Sequence, residues 1–485
     1  MPFSSLLFLS VFLPPFLAAY WVSPRALKNA VALVFSLAFY AWGAPRLLPV
    51  VLALGVFDYW LGGVVARTRG RARDSAPDEA ARLERRARRT VIAGVTLHLT
   101  VLAYFKYSNF LVGQTNSVLA MLPGAARIAW EEVPLPIGIS FLTFEEISYL
   151  VDVYRGDARP ARSLGRYLLF LMLFPHSIAG PIFRWKDLEA QLDARAHSLS
   201  TVADGFGRFA LGLAKKVLVA DAAAVIVDPI FAAPEHAGPR LAWLAALAYT
   251  LQIYFDFSGY SDMAIGLGRM AGFRFKENFD APYAAASITE FWKRWHISLS
   301  SWLRDYLYVP LGGNRLGERR TRLNVLVVFG LSGLWHGAAW TFVVWGLYHG
   351  ALGVAERTRP VKRARAALPL PANVMITLLL VVFGWVFFRA TTMSSALSLL
   401  GAMFGLRSGP EAAFLPGHIL PARSAAMVLL GTALVLLPRV LGLERHARLE
   451  ERLRTVGLAL APVALAISIA QLANSGFSPL IYFKF

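Results

Sequence analysis

Long apolar runs along the whole chain constrain the fold of this sequence more than any other feature. Segments such as Leu47–Ala66 and Val91–Val112 carry few charges and reach the ~17–25 residues that a helix needs to cross a bilayer. Of the 485 residues, 56% are hydrophobic and only 16% are charged, whereas soluble domains carry about 25% charged residues. We therefore predict an all-α, polytopic integral membrane protein with roughly ten to thirteen membrane helices, together with re-entrant and interfacial helices.

Basic residues dominate the segments between these runs and give the chain a formal net charge of +19. Lys and Arg between membrane spans are typical of cytoplasmic loops and of contact with anionic lipid. No basic aromatic motif for nucleic acid is present. The stretch Arg67–Arg89 is predicted to be a cytoplasmic loop, and the three spans before it place the N-terminus outside. The same alternation places the C-terminus outside as well.

Several classes of chemistry are disfavoured by the sequence. It contains no cysteine, which excludes a disulfide framework, a thiolate metal site and a cysteine nucleophile. The GxSxG and HExxH motifs are absent, and we predict neither a metal site nor a bound cofactor. The first apolar run, Phe3–Trp21, lacks a basic leader and a cleavage site, so it is predicted to be a retained helix.

The middle of the chain is less regular. Leu168–Phe183 is broken by two prolines around His176 and is predicted to be re-entrant, which requires protein or water to cover its backbone. Phe206–Ile230 has two lysines at its centre and is predicted to be an interfacial helix whose lysines reach the membrane surface. Asp256 and Asp262 lie in an apolar segment, where they either carry protons or form structural pairs.

The stretch Ser287–His349 holds three of the nine histidines, His296, His336 and His349. An ionisable side chain inside a membrane protein is costly to bury, so each is a functional candidate. Ser287 and Glu290 have the spacing of a capping box and predict the start of an amphipathic helix. His296 lies at the edge of its aromatic face. Two alternatives stay open there, an interfacial helix with a tryptophan belt or a histidine that points into a cavity.

His336 lies among small residues that allow close helix packing. These are Gly330, Gly333, Gly337 and Gly346. The structural alternative is a buried histidine that is hydrogen-bonded to a neighbouring helix. The functional alternative is a general base that removes a proton from a hydroxyl, the natural role for a neutral imidazole without a nucleophile or metal beside it. His349 is closer to the next basic loop and is predicted to be a supporting residue.

Three central blocks of sequence stand out. They read FDFSGYSDMAIGLG, ITEFWKRWHISLSSWLRDYLYVPLGGNR and LSGLWHGAAWTFVVWG, and they span Phe255–Gly268, Ile288–Arg315 and Leu331–Gly346. Further blocks towards both ends span Phe3–Pro14, Leu135–Asp157, Phe174–Arg184 and Ser478–Phe485. Together these blocks, along essentially the whole chain, resemble the membrane-bound O-acyltransferases, and within them the alginate O-acetylation branch.

The resemblance implies a single transmembrane domain over residues 1–485, with its core motifs at 255–349 and its helices in a ring around a central funnel or tunnel. It also implies transfer of an acetyl group from cytoplasmic acetyl-CoA for O-acetylation of an exported, alginate-like polysaccharide. The near-invariant histidine of the family falls on His336 and its second motif histidine on His296. His336 would take the hydroxyl proton, and His296 would orient His336 or hydrogen-bond the developing oxyanion.

The same blocks supply candidate residues for binding of the donor or substrate. These are Trp335, Trp295, Asp305, Asn314 and Arg315. For Arg315 a simple topology charge is an equal alternative. The branch implies a bacterial inner membrane and a periplasmic partner of the SGNH or AlgX/AlgJ-like type. In that membrane the two termini, which the charge pattern places outside, are predicted to be periplasmic. The polysaccharide would be acetylated directly or through that partner.

Two alternative functions remain at this level. Within the family, the acceptor would be another envelope polymer such as cellulose or teichoic acid. In a different class, the chain would be a transporter or channel for acyl groups or polymer, with His336 as a proton relay. Duplicated halves with broken helices, which are typical of many transporters, are not visible in the sequence.

Overall fold

A computed structural model describes residues 1–136, 138–177, 180–407, 421–440 and 447–475 of the chain. Within these residues every regular element is helical and no strand occurs, which confirms the all-α prediction. The terminal block Ser478–Phe485 and the predicted periplasmic C-terminus lie outside the described residues.

Five described helices are long and apolar enough to cross a membrane. They are Arg25–Gly43, Leu48–Arg73, Pro77–Leu119, Leu370–Arg389 and Thr455–Asn474. Shorter apolar helices accompany them at Phe8–Val22, Met393–Met403 and Ala422–Val435. These helices fit a polytopic membrane protein, while the expected total of ten to thirteen membrane segments stays a prediction.

The chain divides into two compact units, and the single-domain expectation stays a prediction. The first unit comprises Met1, Leu7–Ser198 and Ala271–Arg274. Its helices are α1 (Leu13–Val22), α2 (Lys28–Gly43), α3 (Leu48–Arg73), α4 (Pro77–Leu119), α5 (Ile139–Arg155), α6 (Leu164–Met172) and α7 (Trp185–Asp193).

The second unit comprises Pro2–Leu6, Leu199–Met270 and the described residues from Phe275 onwards. Its first helices are α8 (Leu199–Ala214), α9 (Asp221–Ala232), α10 (Pro239–Met270), α11 (Ile288–Arg294), α12 (Ile297–Leu303) and α13 (Glu318–His336). They are followed by α14 (Trp340–Ala355), α15 (Arg359–Ala366), α16 (Leu370–Arg389), α17 (Met393–Met403), α18 (Ala422–Val440) and α19 (Ala447–Ser475). All candidate catalytic residues belong to this unit.

The basic stretch Arg67–Arg89 is not the loop that its polarity predicts. α3 continues to Arg73 and α4 begins at Pro77, because Ala, Arg and Glu are strong helix formers and extend both helices beyond their apolar parts. A 3.2 Å ion pair between Arg69 and Glu84 links the two polar extensions.

Buried ionisable side chains form networks inside the first unit. Glu145 Oε1 lies 2.8 Å from His176 Nδ1 in the irregular segment after α6. Residues 173–177 and 180–183 of that segment are buried by protein, as the re-entrant prediction requires. On the neighbouring helices, His98 Nε2 lies 2.7 Å from Asp58 Oδ1, and its Nδ1 lies 2.9 Å from Glu146 Oε2. Because both ring nitrogens face carboxylate oxygens, the imidazolium form of His98 can donate a hydrogen bond to each of the two carboxylates.

The lysine pair of the second unit is packed against α10. A π-helical turn, Lys215–Ala220, joins α8 to α9. Lys215 Nζ lies 2.6 Å from Asp262 Oδ2, and Lys216 Nζ lies 2.8 Å from Asp256 Oδ1. The structural alternative for both aspartates is therefore confirmed. The prediction that the lysines extend to a membrane surface is wrong for Lys216, which is only 3% exposed.

Candidate active site

The α13–α14 hairpin places His336 at a helix end. His336 is the last residue of α13, the backbone at Gly337 is extended, and α14 begins three residues later. The two helices approach closely at Gly333 and Gly346. A Cβ atom on Gly346 would lie only 3.0 Å from the Cα of Gly333, well inside the ~3.5–4.0 Å carbon–carbon contact distance. The small residues are therefore a packing requirement, as the sequence predicts.

Aromatic rings surround His336, which is only 6% exposed. Its ring centroid lies 4.9 Å from that of Trp335, 5.0 Å from that of Trp345 and 5.3 Å from that of Phe388. The rings of Trp345 and Phe388 meet the imidazole nearly edge-on. Phe388 comes from α16, so its part in the site is not visible in the linear sequence. The imidazole is thus held in a rigid, largely apolar wall.

The helix predicted to run from Ser287 through His296 is broken. Its start is correct, because the Ser287 hydroxyl accepts a 3.0 Å hydrogen bond from the Glu290 amide. α11 then ends at Arg294, and α12 begins at Ile297. His296 lies between them with a φ of 46°, a left-handed conformation that costs about 1–3 kcal/mol for a residue other than glycine. The prediction of one continuous aromatic helix face is therefore wrong.

This break places His296 beside His336. The His296 side chain is fully buried, and the centroids of the two imidazoles lie 6.4 Å apart. Phe257 of α10 packs edge-on against the His296 ring at 4.7 Å. Because α11 and α12 have seven residues each, neither can cross a membrane. Burial lowers the pKa of His296 to about 3, so its imidazole is neutral at physiological pH.

His349 occupies a supporting position next to this pair. The indole N–H of Trp292 donates a 3.4 Å hydrogen bond to its Nδ1. Its ring lies in the same aromatic cluster, 5.3 Å from Trp345 between centroids. These contacts show that His349 is part of the packing, and its supporting role stays a prediction.

The predicted donor residues do not all meet at one place. Trp295 is buried in aromatic packing, 4.8 Å from Trp385 and 5.0 Å from Phe279 between ring centroids. Asp305 pairs with the adjacent Arg304, at 2.7 Å between Oδ1 and Nε. Arg315 is exposed after a glycine turn. Of the predicted set, Trp335 contacts the two histidines.

A cavity of about 350 Å³ lies in the second unit, and its described lining includes neither His296 nor His336. Its walls include Trp292, Phe329 and Ser332. Ser332 precedes His336 on α13 by one helical turn, about 6 Å along the axis. The cavity therefore reaches the helix that carries His336, within one turn of it.

Three cations also line this cavity, Lys293, Arg304 and Arg357, and its described lining contains no carboxylate. Arg357 lines a second cavity of about 290 Å³ as well. Asn314, Arg322 and Lys362 contribute to that second cavity, together with one acidic residue. Asn314 is a residue that the sequence motifs predict, whereas the lining cations are not predicted. A basic residue at a cavity has the same sequence pattern as a basic residue in a cytoplasmic loop.

The strongest metal-type ligand set of the described residues is elsewhere, in the first unit. One ligand atom each from Asp58, His98 and Glu146 lies within 4.8 Å of the others. Both His98 nitrogens already face carboxylate oxygens, so the side chains satisfy one another in this arrangement. The expectation of no metal at the histidine pair stays a prediction.

The chain is similar to proteins of one known family. The model of the membrane-bound O-acyltransferase family matches residues 161–389, which include both histidines. A probable alginate O-acetylase AlgI of Azotobacter vinelandii is 46% identical over 404 residues, 83% of this chain and 78% of that protein. A probable alginate O-acetylase AlgI of Pseudomonas putida is 41% identical over an alignment that covers 100% of both chains.

A more distant relative is a peptidoglycan O-acetyltransferase of Helicobacter pylori. It is 33% identical over 438 residues, 83% of this chain and 80% of that protein. Together with the apolar helices, these similarities show that the chain is a membrane O-acyltransferase and belongs to the membrane-bound O-acyltransferase family.

Proposed function

We propose that this protein is a bacterial inner-membrane O-acetyltransferase that takes an acetyl group from cytoplasmic acetyl-CoA for O-acetylation of an exported, alginate-like polysaccharide. The observation that carries the proposal is the meeting of His296 and His336 in one buried cluster, with a cation-lined cavity that reaches Ser332, one helical turn before His336. Alginate O-acetylases among the relatives support the choice of polymer.

The cavity has the chemistry that an acyl-CoA donor requires. Its cations Lys293 and Arg357 suit the phosphates of the donor, since guanidinium and ammonium groups pair with phosphate oxygens, whereas Arg304 is already paired with Asp305. Its apolar walls at Trp292 and Phe329 suit an uncharged, extended thioester arm. A donor bound in this orientation would carry its acetyl group towards the α13 turn that ends in His336.

The proposed reaction is attack of an acceptor hydroxyl on the thioester carbonyl. His336 accepts the hydroxyl proton as the new carbon–oxygen bond forms, because an alcohol is a poor nucleophile at neutral pH without a base. The carbon–sulfur bond then breaks, and the thiolate takes the proton from the His336 imidazolium, which gives free CoA and restores the neutral base. His296 orients His336 or stabilises the developing oxyanion. The aromatic wall excludes water, which would otherwise compete as an acceptor.

The acceptor side is proposed from the relatives and the charge pattern. Periplasmic termini follow from the positive-inside distribution, and an exported polymer is met on that side of the membrane. A periplasmic SGNH-type or AlgX/AlgJ-like protein would receive the acetyl group or complete its transfer. The peptidoglycan O-acetyltransferase relative favours a second envelope polymer as the alternative acceptor.

The test is replacement of the proposed base. We expect His336→Ala to insert into the membrane normally but to lose acetyl transfer from radiolabelled acetyl-CoA to polymer. The matched control is His349→Gln, which changes a histidine of the same aromatic cluster and should retain transfer. Normal acetylation by His336→Ala protein would refute the assignment of the base. Failure of the purified wild-type protein to consume acetyl-CoA, with acceptor and partner supplied, would instead favour the transporter class.

A further inference from the structure

Asn278, in the loop after α10, contacts His296 from between two of the central sequence blocks. Its side chain is only 1% exposed. Its Oδ1 lies 3.1 Å from the Ser298 amide nitrogen, 2.9 Å from the Ser298 hydroxyl and 3.3 Å from His296 Nδ1. Its Nδ2 lies 3.1 Å from the Ser261 hydroxyl. One amide group therefore links the loop, α10 and the turn that carries His296.

The orientation of this amide is fixed by its neighbours. A backbone N–H can only donate, so the Asn278 atom that faces the Ser298 amide must be the carbonyl oxygen. The amide NH₂ then faces the Ser261 hydroxyl, which can accept. With the two ends exchanged, two donors would meet in a buried place, at a cost of about 1–3 kcal/mol.

The same reasoning determines the proton on the His296 ring. The Ser298 hydroxyl has one hydrogen, which it donates to Asn278 at 2.9 Å and not to His296 Nδ1 at 3.4 Å. His296 Nδ1 therefore faces only acceptor atoms. A ring nitrogen in that position is satisfied only when it carries the proton.

We infer that Asn278 is a positioning residue that fixes His296 in the Nδ1–H tautomer and leaves its Nε2 as a hydrogen-bond acceptor in the site. The backbone of Asn278 supports the same geometry, since its carbonyl accepts a 2.9 Å hydrogen bond from the Ile297 amide. Asn278 therefore holds both the left-handed turn at His296 and the orientation of its ring.

The consequence for catalysis rests on the proposed function. The Nε2 atom of His296 is buried and has no hydrogen-bond partner among the described residues. A neutral His296 with its proton on Nδ1 cannot donate from Nε2, so it cannot stabilise an oxyanion from that atom. The Nε2 atom of His296 can still accept a hydrogen bond. No hydrogen bond joins the two rings at their 6.4 Å spacing, so His296 would orient His336 through a bridging hydroxyl or water.

The protein contains its own reference for the opposite tautomer. The Trp292 indole can only donate, and it donates to Nδ1 of His349, so His349 must carry its proton on Nε2. Two buried histidines of the same unit are thus expected to show opposite tautomers.

The experiment is nitrogen NMR of the full-length protein in lipid, labelled with ¹⁵N at histidine, in which protonated and unprotonated ring nitrogens have well-separated shifts. Signals are assigned by their loss in His296→Gln and His349→Gln. We expect Nδ1–H for His296 and Nε2–H for His349 in the wild type. We expect an Nε2–H population at His296 in Asn278→Ala, and retention of Nδ1–H in Asn278→Asp, whose carboxylate still accepts. Nε2–H at His296 in the wild type overturns the proposal, as does an unchanged tautomer in Asn278→Ala.

Activity gives a second readout. We expect Asn278→Ala to lower kcat on the order of tenfold to a hundredfold, by analogy with the loss of a group that orients a metal-bound histidine, with KM for acetyl-CoA unchanged. Asn278→Asp should recover much of kcat. Its carboxylate raises the pKa of His296, so its activity should fall at a higher pH than that of the wild type as the solution is acidified. Equal pH profiles for the two proteins would contradict the positioning role. Because the NMR result does not depend on turnover, it separates failure of this inference from failure of the proposed function.

Discussion

The glycine contact between α13 and α14 predicts a sharp difference between two alanine substitutions on one helix. In Gly346→Ala, the new Cβ would lie 3.0 Å from the Cα of Gly333 and closer still to the carbonyl oxygen of Phe329. The shortfall from carbon–carbon contact is about 0.5–1 Å. Both nearby atoms belong to the backbone, so the helices must separate. Overpacking of this kind costs about 1–3 kcal/mol.

Gly353→Ala is the matched control, two turns further along α14. Its Cβ would lie 3.6 Å from the Cγ1 of Val325, which is ordinary contact. Both variants gain about 1 kcal/mol of helix propensity, and this gain cancels when the two are compared. The difference between them therefore isolates the clash, and we expect Gly346→Ala to be less stable by about 1–3 kcal/mol.

Thermal unfolding in one detergent, followed by fluorescence-detected size-exclusion chromatography, measures the comparison. Gly346→Ala should unfold at a lower temperature than Gly353→Ala and should also lose acetyl transfer, because Trp345 next to it contacts His336. Equal unfolding temperatures for the two variants would refute the argument that the hairpin is set by glycine packing.

Three further predictions follow from the ionisable groups. His98→Ala should reduce the yield of folded protein, since it leaves two buried carboxylates without their cation and lowers the free energy of unfolding by about 3–5 kcal/mol. A yield equal to that of the wild type would contradict the assignment of His98 as an imidazolium. Lys293→Ala and Arg357→Ala should raise KM for acetyl-CoA, whereas Arg363→Ala, which is absent from the described lining of both cavities, should not, and equal KM values would argue against donor binding at the cavity of about 350 Å³. Because burial lowers the pKa of His296 to about 3, its lone pair is present above that pH and is lost only as the pH falls through it. His296→Asn should therefore leave the shape of the activity profile unchanged between about pH 5 and 8, and an acidic limb that disappears in this variant would count against a neutral His296.

Much of the fold and part of the site follow from local sequence. The apolar runs at Leu47–Ala66 and Val91–Val112 correspond to the membrane-capable helices α3, which begins one residue later at Leu48, and α4. The capping box at Ser287 marks the helix start that the structure has. The glycines around His336 predict close helix packing, and Gly333 and Gly346 provide it. Each of these features depends on residues within a few turns of one another, so periodicity and spacing are sufficient to find it.

The wrong predictions concern stretches whose local sequence pattern is compatible with two different structures. Arg67–Arg89 is polar, and a polar stretch is equally compatible with a loop and with helices that extend into water. The aromatic periodicity around His296 favours a continuous helix, but hydrogen bonds from Ile297 and Ser298 to Asn278 stabilise a left-handed turn there. The helix ends there despite its local helix propensity, because Asn278, 18 residues earlier, supplies hydrogen-bond acceptors for the turn.

The sequence by itself determined that this chain is a membrane-embedded helical protein, that it resembles one acyltransferase family and that His296 and His336 are its leading catalytic candidates. Only the tertiary structure brought these two rings within 6.4 Å of each other, added Phe388 from α16 and placed cations along a cavity that reaches within one helical turn of His336. It also decided which nitrogen of His296 carries the proton, through Asn278, 18 residues earlier in the chain. Hydropathy and motif spacing are local properties, whereas a tautomer depends on the partners that folding supplies from outside the motif.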